Sequence, residues 1–204
     1  MQQVASKNAL IALLRGVALD VDARKPLSSA QYKAISLWRI QSNSTGVQTV
    51  ARTEAKRLAG DIMRTQAGLE QNKRTLTCLV SSLAPALLAE PGIGPVTLAQ
   101  VICSYSHKGR IHSPEAFVAL AGTAPIPAAS GNTAHYRLNR YGDRQLNHAI
   151  DTIVLARMRS DEQTKQYIAK RTGTGLSKRD IKRSLKRYVA RSLFRQLESC
   201  DITA

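Results

Sequence analysis

The sequence has few of the residues on which several common protein classes depend. It contains three cysteines among 204 residues and no C-x-x-C pair, which supports neither a disulfide framework nor a zinc knuckle. Aromatic residues make up only 4%, which argues against β-sandwiches and barrels built on aromatic and β-branched strands. The apolar run from Ala9 to Leu14 ends at Arg15, too short for a signal peptide or a membrane span. We therefore expect a soluble intracellular protein with no membrane partner.

Acidic residues are also scarce. Thirty Lys and Arg residues stand against fourteen Asp and Glu, which gives a formal net charge of +16 and a pI near 10.3. Such an excess indicates a polyanionic partner, most often nucleic acid, with an anionic membrane as the competing class. Hydrophobic residues reach 43%, which is enough for a packed core in one or two domains.

Apolar residues recur at helical spacing, which predicts an all-α fold. Helices are expected over 4–16, 29–40, 46–83, 143–159 and 178–197. Pro85 and Pro91 mark a boundary, so we predict a helical or coiled-coil segment over 1–84, a compact domain over 85–198 and a tail over 199–204. The last two helices are expected to bury the following residues: Leu146, Ile150, Ile153 and Val154 in the first, and Ile181, Leu185, Val189, Leu193 and Leu197 in the second.

The long helix carries a heptad pattern from residue 51 to residue 79. Its apolar positions alternate in steps of four and three, with Thr65 and Asn72 as polar interruptions that can fix register. Two interpretations remain open. The helix either packs its apolar face on its own domain or pairs with a second chain as a coiled coil, which predicts a homo-oligomer through residues 51–79.

The turn Pro91-Gly92-Ile93-Gly94-Pro95 lies between two apolar helical stretches. This is the helix-hairpin-helix pattern, in which Gly92 and Gly94 let the backbone approach a phosphate and the next helix directs its amides at it. Such a contact positions nucleic acid without reading its sequence. A tight turn between two core helices is the alternative.

The C-terminal helix carries many basic residues with one acid, Asp180, among them. A solvated face, a membrane-surface helix and a phosphate-binding face are the three interpretations, and the membrane is the weakest because the apolar face lacks tryptophan. The residues taken as candidate phosphate contacts are Lys178, Arg179, Lys182, Arg183, Lys186 and Arg187.

A proline-stiffened loop is expected over 125–133, and it carries Ser130 beside a glycine. With Arg137, Arg140 and Arg144 downstream, the hydroxyl could attack a phosphodiester while guanidinium groups hold the developing charge. An ordinary turn serine is the alternative, and Tyr136 or Tyr141 would serve tyrosine-recombinase chemistry. The four histidines show no metal-ligand spacing, so no metal site is expected in this chain.

Three of these motifs together resemble one transposase family. They are the PGIGP turn, the A-P-x-P-A-x-S-G-N-T loop and the R-x-G-D-R-Q-L-N helix start. The chain resembles the IS-one-ten family of bacterial insertion-sequence transposases, which are RNA-guided (bridge-RNA) recombinases. The resemblance covers about residues 85–198, and the stretch from Val4 is similar to the coiled-coil segment that precedes this domain in the family.

The resemblance implies that Ser130 is the catalytic serine, which forms a covalent phosphoserine link to DNA. Arg137, Arg140 and Arg144 match basic positions of the motif. Relatives often carry Ser-Ser-Gly where this chain has Ala129-Ser130-Gly131. The family also uses an N-terminal RuvC-like domain with four acidic ligands, so magnesium is expected only with that domain, which is absent from this sequence. The implied partners are DNA, a structured guide RNA and possibly a separate RuvC-like domain, in the bacterial cytoplasm at the nucleoid.

Three functions follow as expectations. The first is the serine-nucleophile and nucleic-acid-binding part of an insertion-sequence transposase, incomplete as an enzyme without a RuvC-like domain. The second is a truncated, non-catalytic DNA- or RNA-binding remnant that regulates transposition. The third is a helix-hairpin-helix DNA-binding protein of repair or recombination, which leaves the loop around Ser130 unexplained.

Overall fold

The computed structural model describes residues 2–17, 19–39, 45–130, 133–139 and 141–200, and for residues 127–138 only the backbone where it is described. In these ranges the fold is helical apart from one hairpin, which confirms the all-α prediction. The elements are α1 (Gln2–Gly16), α2 (Ser29–Ser36), α3 (Gly46–Leu83), α4 (Pro85–Leu88), α5 (Pro95–Tyr105), α6 (Pro114–Leu120), β1 (Pro125–Ser130), β2 (Thr133–Leu138), α7 (Arg144–Ser160), α8 (Glu162–Gly173) and α9 (Lys178–Ser199). In the described ranges, none of these helices has the length and hydropathy needed to cross a membrane.

The chain divides into two compact units, Met1–Asn72 and Lys73–Ala204. In the first unit, α1 and α2 pack with the N-terminal part of α3 around an apolar core. Ser28 begins α2 with a capping box, because its hydroxyl accepts from the Gln31 amide and Gln31 accepts from the Ser28 amide. The core residues are Leu10, Leu14, Leu19, Ala23, Leu27, Tyr32, Ile35, Ala51, Ala55, Leu58, Ala59 and Ile62.

Helix α2 ends at Ser36, four residues before its predicted end. The amides of Leu37 and Trp38 bond to carbonyl groups three residues earlier, which tightens the chain out of the α-helix. The Trp38 ring then lies 5.0 Å from the Arg52 guanidinium carbon, a contact that helical periodicity does not reveal.

The heptad pattern of α3 is buried in its first half and exposed in its second. Its four positions from Ala51 to Ile62 belong to the core of the first unit. Further along, Leu69 is 51% exposed and Leu79 is 54% exposed. The first half therefore packs on its own domain, whereas the second half presents apolar side chains at the surface.

In the second unit, α5, α6, α7 and α9 enclose the core. The four predicted positions of α7 and the five of α9 are all buried, which confirms both predicted faces. The Phe194 ring packs against those of Tyr105 and Phe117, with centroids 6.3 and 5.8 Å apart. Helix α8 was not predicted, because its sequence EQTKQYIAKRTG carries too few apolar residues to show a helical period.

The loop predicted over 125–133 is wrong over 125–130, which is β1 of an antiparallel hairpin, and at Thr133, where β2 begins. The register pairs Pro125 with Leu138 and Ser130 with Thr133. Pro125 and Pro127 lie two residues apart, so the positions without an amide proton fall on the same edge of β1. A two-stranded ribbon leaves one such edge without a neighbouring strand, which is where proline is tolerated.

Two glycines cross at the base of the hairpin. A Cβ atom on Gly142 would lie 2.5 Å from Gly122 Cα and 2.7 Å from the Leu120 carbonyl oxygen, closer than real contacts allow. The Asp143 amide donates to the same carbonyl group at 2.7 Å. This backbone contact holds the start of α7 against the end of α6.

We expect Gly142→Ala to lower the free energy of unfolding by about 3 kcal/mol, because two backbone segments must separate to admit the methyl group. Gly173→Ala is the control, since a Cβ atom there meets nothing within 4 Å. It should be neutral or slightly stabilising. Urea unfolding followed by circular dichroism measures both, and equal stability of the two variants would contradict the tight crossing.

Candidate nucleic-acid interface

A basic cleft of about 480 Å³ lies between α7, the first half of α9 and the segment that leads into β1. Five cationic side chains and two carboxylates line it. The lining residues are Gly122, Thr123, Ala124, Pro125, Asp151, Leu176, Arg179, Asp180, Lys182, Arg183, Ser184, Lys186 and Arg187. The structure thus brings five of the six predicted basic contacts of α9 to the start of the strand that ends at Ser130.

Asp151 pairs with two of the lysines that line this cleft. Its carboxylate oxygens lie 3.0 Å from Lys182 Nζ and 3.2 Å from Lys186 Nζ. Burial of Asp151 opposes its ionisation, but the hydrogen bonds and charges of the two lysines outweigh burial, so its pKa lies below the ordinary value. One negative charge faces two positive ones, so the pair of lysines keeps a net positive charge.

Lys186 also connects the cleft to the base of the hairpin. Its Nζ donates to Asn147 Oδ1 at 2.7 Å, and Asn147 Nδ2 donates to the Ala121 carbonyl group at 2.6 Å. Ala121 directly precedes the Gly122–Gly142 crossing. The basic helix and the hairpin base are therefore held in one hydrogen-bonded arrangement.

The remaining basic residues of α9 differ in whether another side chain pairs with them. Arg183 pairs with Asp180 at 3.2 Å, and Arg187 donates to Ser184 Oγ at 3.3 Å. Within the described ranges, Lys178 and Arg179 have no carboxylate within 4.0 Å. Cations near a helix N-terminus oppose the helix dipole, so this placement does not serve helix stability. It suits the binding of an anion.

The Pro91–Pro95 turn packs against α7. Gly92 has a φ of +77°, and a Cβ atom there would lie 2.9 Å from the Ile153 carbonyl oxygen. Arg157 Nε donates to the Pro91 carbonyl group at 2.8 Å. Gly94 begins α5, and its amide donates to Thr97 Oγ1 at 3.0 Å. This packing accounts for Gly92 in the fold, and contact of Gly92 and Gly94 with phosphate stays a prediction.

The predicted catalytic residues are described only in part. Ser130 is the last residue of β1, and Arg137 lies on β2 opposite Ile126, but both side chains lie outside the described part of the structure. Arg140 lies outside the described residues altogether. Arg144 is the exposed first residue of α7. The backbone thus places Ser130 at the end of the hairpin away from the glycine crossing.

Asp143 fixes the start of α7 just after the hairpin. Its carboxylate accepts from the amides of Gln145 and Leu146 and from Ser104 Oγ at 2.7 Å. Burial opposes ionisation of Asp143, but these hydrogen bonds outweigh burial and place its pKa below the ordinary value. The charged carboxylate therefore links α5 to the helix that carries Arg144.

Sequence reasoning missed Asp151 and Asn147. They lie one turn apart on α7, and Asp151 is the single acid in that helix. The signal that could have indicated them is their spacing: Asp151 is the lone acid of α7 and lies four residues after the polar Asn147, on a helix that precedes the basic helix α9. In the described residues, no group of three or more His, Cys, Asp or Glu side chains could hold a metal ion.

We expect Asp151→Asn to lower the free energy of unfolding at pH 7 by about 1–2 kcal/mol, because two partly buried lysines lose their counter-charge. A carboxylate with a depressed pKa stabilises above its unfolded pKa of about 3.9 and loses this effect as pH falls through its folded pKa. The difference from wild type should therefore shrink below about pH 4.

Unfolding curves from pH 3 to pH 8 measure this difference. Glu162→Gln is the control, since Glu162 pairs with Lys165 at 3.4 Å on the exposed surface of α8 and should matter by less than about 0.5 kcal/mol. A deficit of Asp151→Asn that persists unchanged at pH 3 would show that charge pairing is not its cause.

Part of the chain matches a protein-family model. Residues 84–169 match the family model described as Transposase IS116/IS110/IS902 family. The matched segment runs from just before α4 into α8, so it contains the Pro91–Pro95 turn, the hairpin and Asp151, whereas α9 follows it. The chain has no match among curated proteins. The family match supports a role in transposition or recombination, with DNA as the partner.

Proposed function

We propose that this chain is the serine-bearing, nucleic-acid-binding part of an insertion-sequence transposase. Ser130 Oγ attacks a DNA phosphodiester. A serine–phosphorus ester bond forms and the phosphorus–oxygen bond to the leaving sugar breaks. The serine hydroxyl loses its proton and the leaving sugar oxygen takes one up as a hydroxyl group, so that no net proton is gained or lost. The observation that carries this proposal is the transposase-family match over residues 84–169, which contains Ser130 and the arginines assigned to it.

Three arginines are proposed to stabilise the charge that develops on the phosphate. Arg137, Arg140 and Arg144 follow Ser130 within fourteen residues, and guanidinium groups bind phosphate oxygens in a bidentate manner. Arg144 is exposed at the first position of α7. The Gly122–Gly142 crossing supports this role because it fixes the base of the hairpin against the start of that helix.

The basic cleft is proposed to hold the nucleic-acid backbone next to the hairpin. Its cationic side chains lie beside Pro125, at the start of the strand that ends at Ser130. Phosphate contacts of this kind position a duplex without reading sequence. A structured guide RNA is the proposed source of target choice, and a RuvC-like domain with magnesium the proposed partner in catalysis. The net charge of +16 supports binding of both DNA and RNA.

A covalent-adduct assay tests this function. The purified chain is mixed with donor DNA, target DNA and the element's RNA, with and without a separately expressed RuvC-like domain. Denaturing gels and mass spectrometry then detect DNA attached to Ser130, and an adduct in either arm supports the proposal. Absence of any adduct, with salt-sensitive DNA binding retained, overturns the catalytic part and favours a non-catalytic binding module.

Pairing of two chains is proposed through the exposed second half of the α3 heptad pattern. Leu69 and Leu79 are more than half exposed there, and apolar heptad positions of this kind pair in coiled coils. We expect the chain to sediment as a dimer or larger at micromolar concentration, and Leu69→Glu with Leu79→Glu to shift it to a 22.3 kDa monomer. Met63→Glu is the control, since Met63 is exposed outside the pattern. A wild-type monomer with and without nucleic acid would contradict this pairing.

A further inference from the structure

A second cleft, of about 430 Å³, opens between α7, α8 and α9, apart from the basic cleft. Two tyrosines form its wall. The rings of Tyr167 and Tyr188 meet edge to face, with centroids 6.0 Å apart and planes at 73°. Tyr188 is 60% exposed, so much of its ring is in contact with solvent. Its neighbours Leu185 and Val189 on α9 are buried, which holds the helix, and hence the Tyr188 backbone, in place.

Arg171, one turn further along α8, contacts Tyr167. Its guanidinium carbon lies 5.5 Å from the Tyr167 ring centroid, and its Nε donates to the Tyr167 hydroxyl group at 3.3 Å. The guanidinium thus stands beside the aromatic pair with further N–H groups able to donate. An aromatic face next to an arginine is the combination that binds unpaired bases, since the ring stacks on the base and the cation meets the strand.

Beside the apolar Val154, Leu185 and Val189, the cleft lining carries both hydrogen-bond donors and acceptors. Gln163 offers an amide group, and Ser192 Oγ accepts from Gln196 at 3.3 Å. Asp161 contributes a carboxylate, and hydrogen bonds from Thr164 lower its pKa. Arg157 also lines the cleft, but its guanidinium is bonded to Glu90 and to the Pro91 carbonyl group. The Asp161 carboxylate can accept from the amino group of a base. This mixture suits the edge of a nucleobase.

We propose that the cleft between Tyr167 and Tyr188 binds one unpaired nucleobase of a bound nucleic acid, stacked on Tyr188, with Arg171 contacting the adjacent phosphate. This inference rests on one part of the proposed function, namely that the chain binds nucleic acid. It adds a site that distinguishes strands with an unpaired base from a continuous duplex. The basic cleft contacts phosphates and does not make this distinction.

Binding and photocrosslinking test the site with defined probes. Each probe is a 20-base-pair duplex, made in DNA and in RNA, with one unpaired 5-iodouracil or with the same base fully paired. We expect the unpaired probes to bind more tightly and to crosslink to the peptide containing Tyr188. Tyr188→Ala should weaken binding of the unpaired probes about tenfold and leave the paired probes unchanged. Tyr188→Phe should retain wild-type affinity, because the stacking ring remains.

Two further variants separate stacking from other effects. Tyr188→Leu keeps apolar bulk without an aromatic face, so it should lose affinity as Tyr188→Ala does. Leu37→Ala removes an exposed apolar side chain of the first unit, outside the cleft, and should behave as wild type. Equal affinity of wild type and Tyr188→Ala for the unpaired probes would overturn the base site. If binding of all probes is still salt-sensitive in that case, the proposed function stands. Failure of wild type to bind any probe would overturn both. A stronger crosslink with the DNA probe than with the RNA probe, or the reverse, identifies which nucleic acid supplies the base.

Discussion

Replacing Ser130 with alanine is expected to abolish the covalent DNA adduct and to lower recombination by at least about a thousandfold. Removal of a nucleophile eliminates the covalent route and leaves only binding and charge stabilisation to assist the reaction. Affinity for DNA should stay near that of wild type, since the cationic side chains of the basic cleft belong to α9. Adduct formation, recombination in the reconstituted complex and filter binding measure these quantities separately.

Thr133→Ala is the matched control. Thr133 is the register partner of Ser130 across the hairpin and also carries a hydroxyl group, so loss of activity in both variants would indicate damage to the hairpin rather than loss of a nucleophile. Moving the hydroxyl by one residue, with Ala129→Ser in the Ser130→Ala chain, tests the position of the nucleophile. Failure of that double variant to form the adduct would show that the hydroxyl must stand at position 130, whereas recovery would show that a hydroxyl at either position of the strand end can attack.

Helices that bury one continuous face were predictable from their apolar spacing. Leu146 and Ile150 in α7, and Ile181 and Leu185 in α9, show the helical period in the sequence and are buried in the structure. The hairpin was not predictable in this way. Two prolines and a run of small residues in β1 show no alternating pattern, and its position is set by the backbone contact between Gly122 and Gly142.

The candidate site was predictable as a set of charges but not as a geometry. The basic run of α9 is visible in the sequence, and contact of its residues with phosphate stays a prediction. Which of these cations has an acidic partner depends on the packing of α7 against α9. This packing places Asp151 between Lys182 and Lys186. Sequence separation hides such a contact, since the partners are 31 and 35 residues apart along the chain.

Removing two guanidinium groups from the basic cleft is expected to change the salt dependence of DNA binding. If six phosphates are neutralised, affinity of the wild type should fall by about a thousandfold between 50 and 200 mM salt. Arg179→Gln with Arg187→Gln removes the two arginines of the cleft that form no salt bridge in the described ranges, whereas Arg183 pairs with Asp180. With about four phosphates left, the same change in salt should cost about a hundredfold.

A second double variant controls for total charge. Arg24→Gln with Arg57→Gln also lowers the net charge by two, at exposed residues of the first unit that pair with Asp22 and Glu54. Long-range attraction changes similarly in both, so a lower salt slope in the cleft variant alone indicates lost phosphate contacts. Equal slopes in the two variants would mean that the cleft acts only through the overall field of the protein. The slope is the deciding quantity because it counts released counterions for any DNA sequence, whereas a single dissociation constant does not.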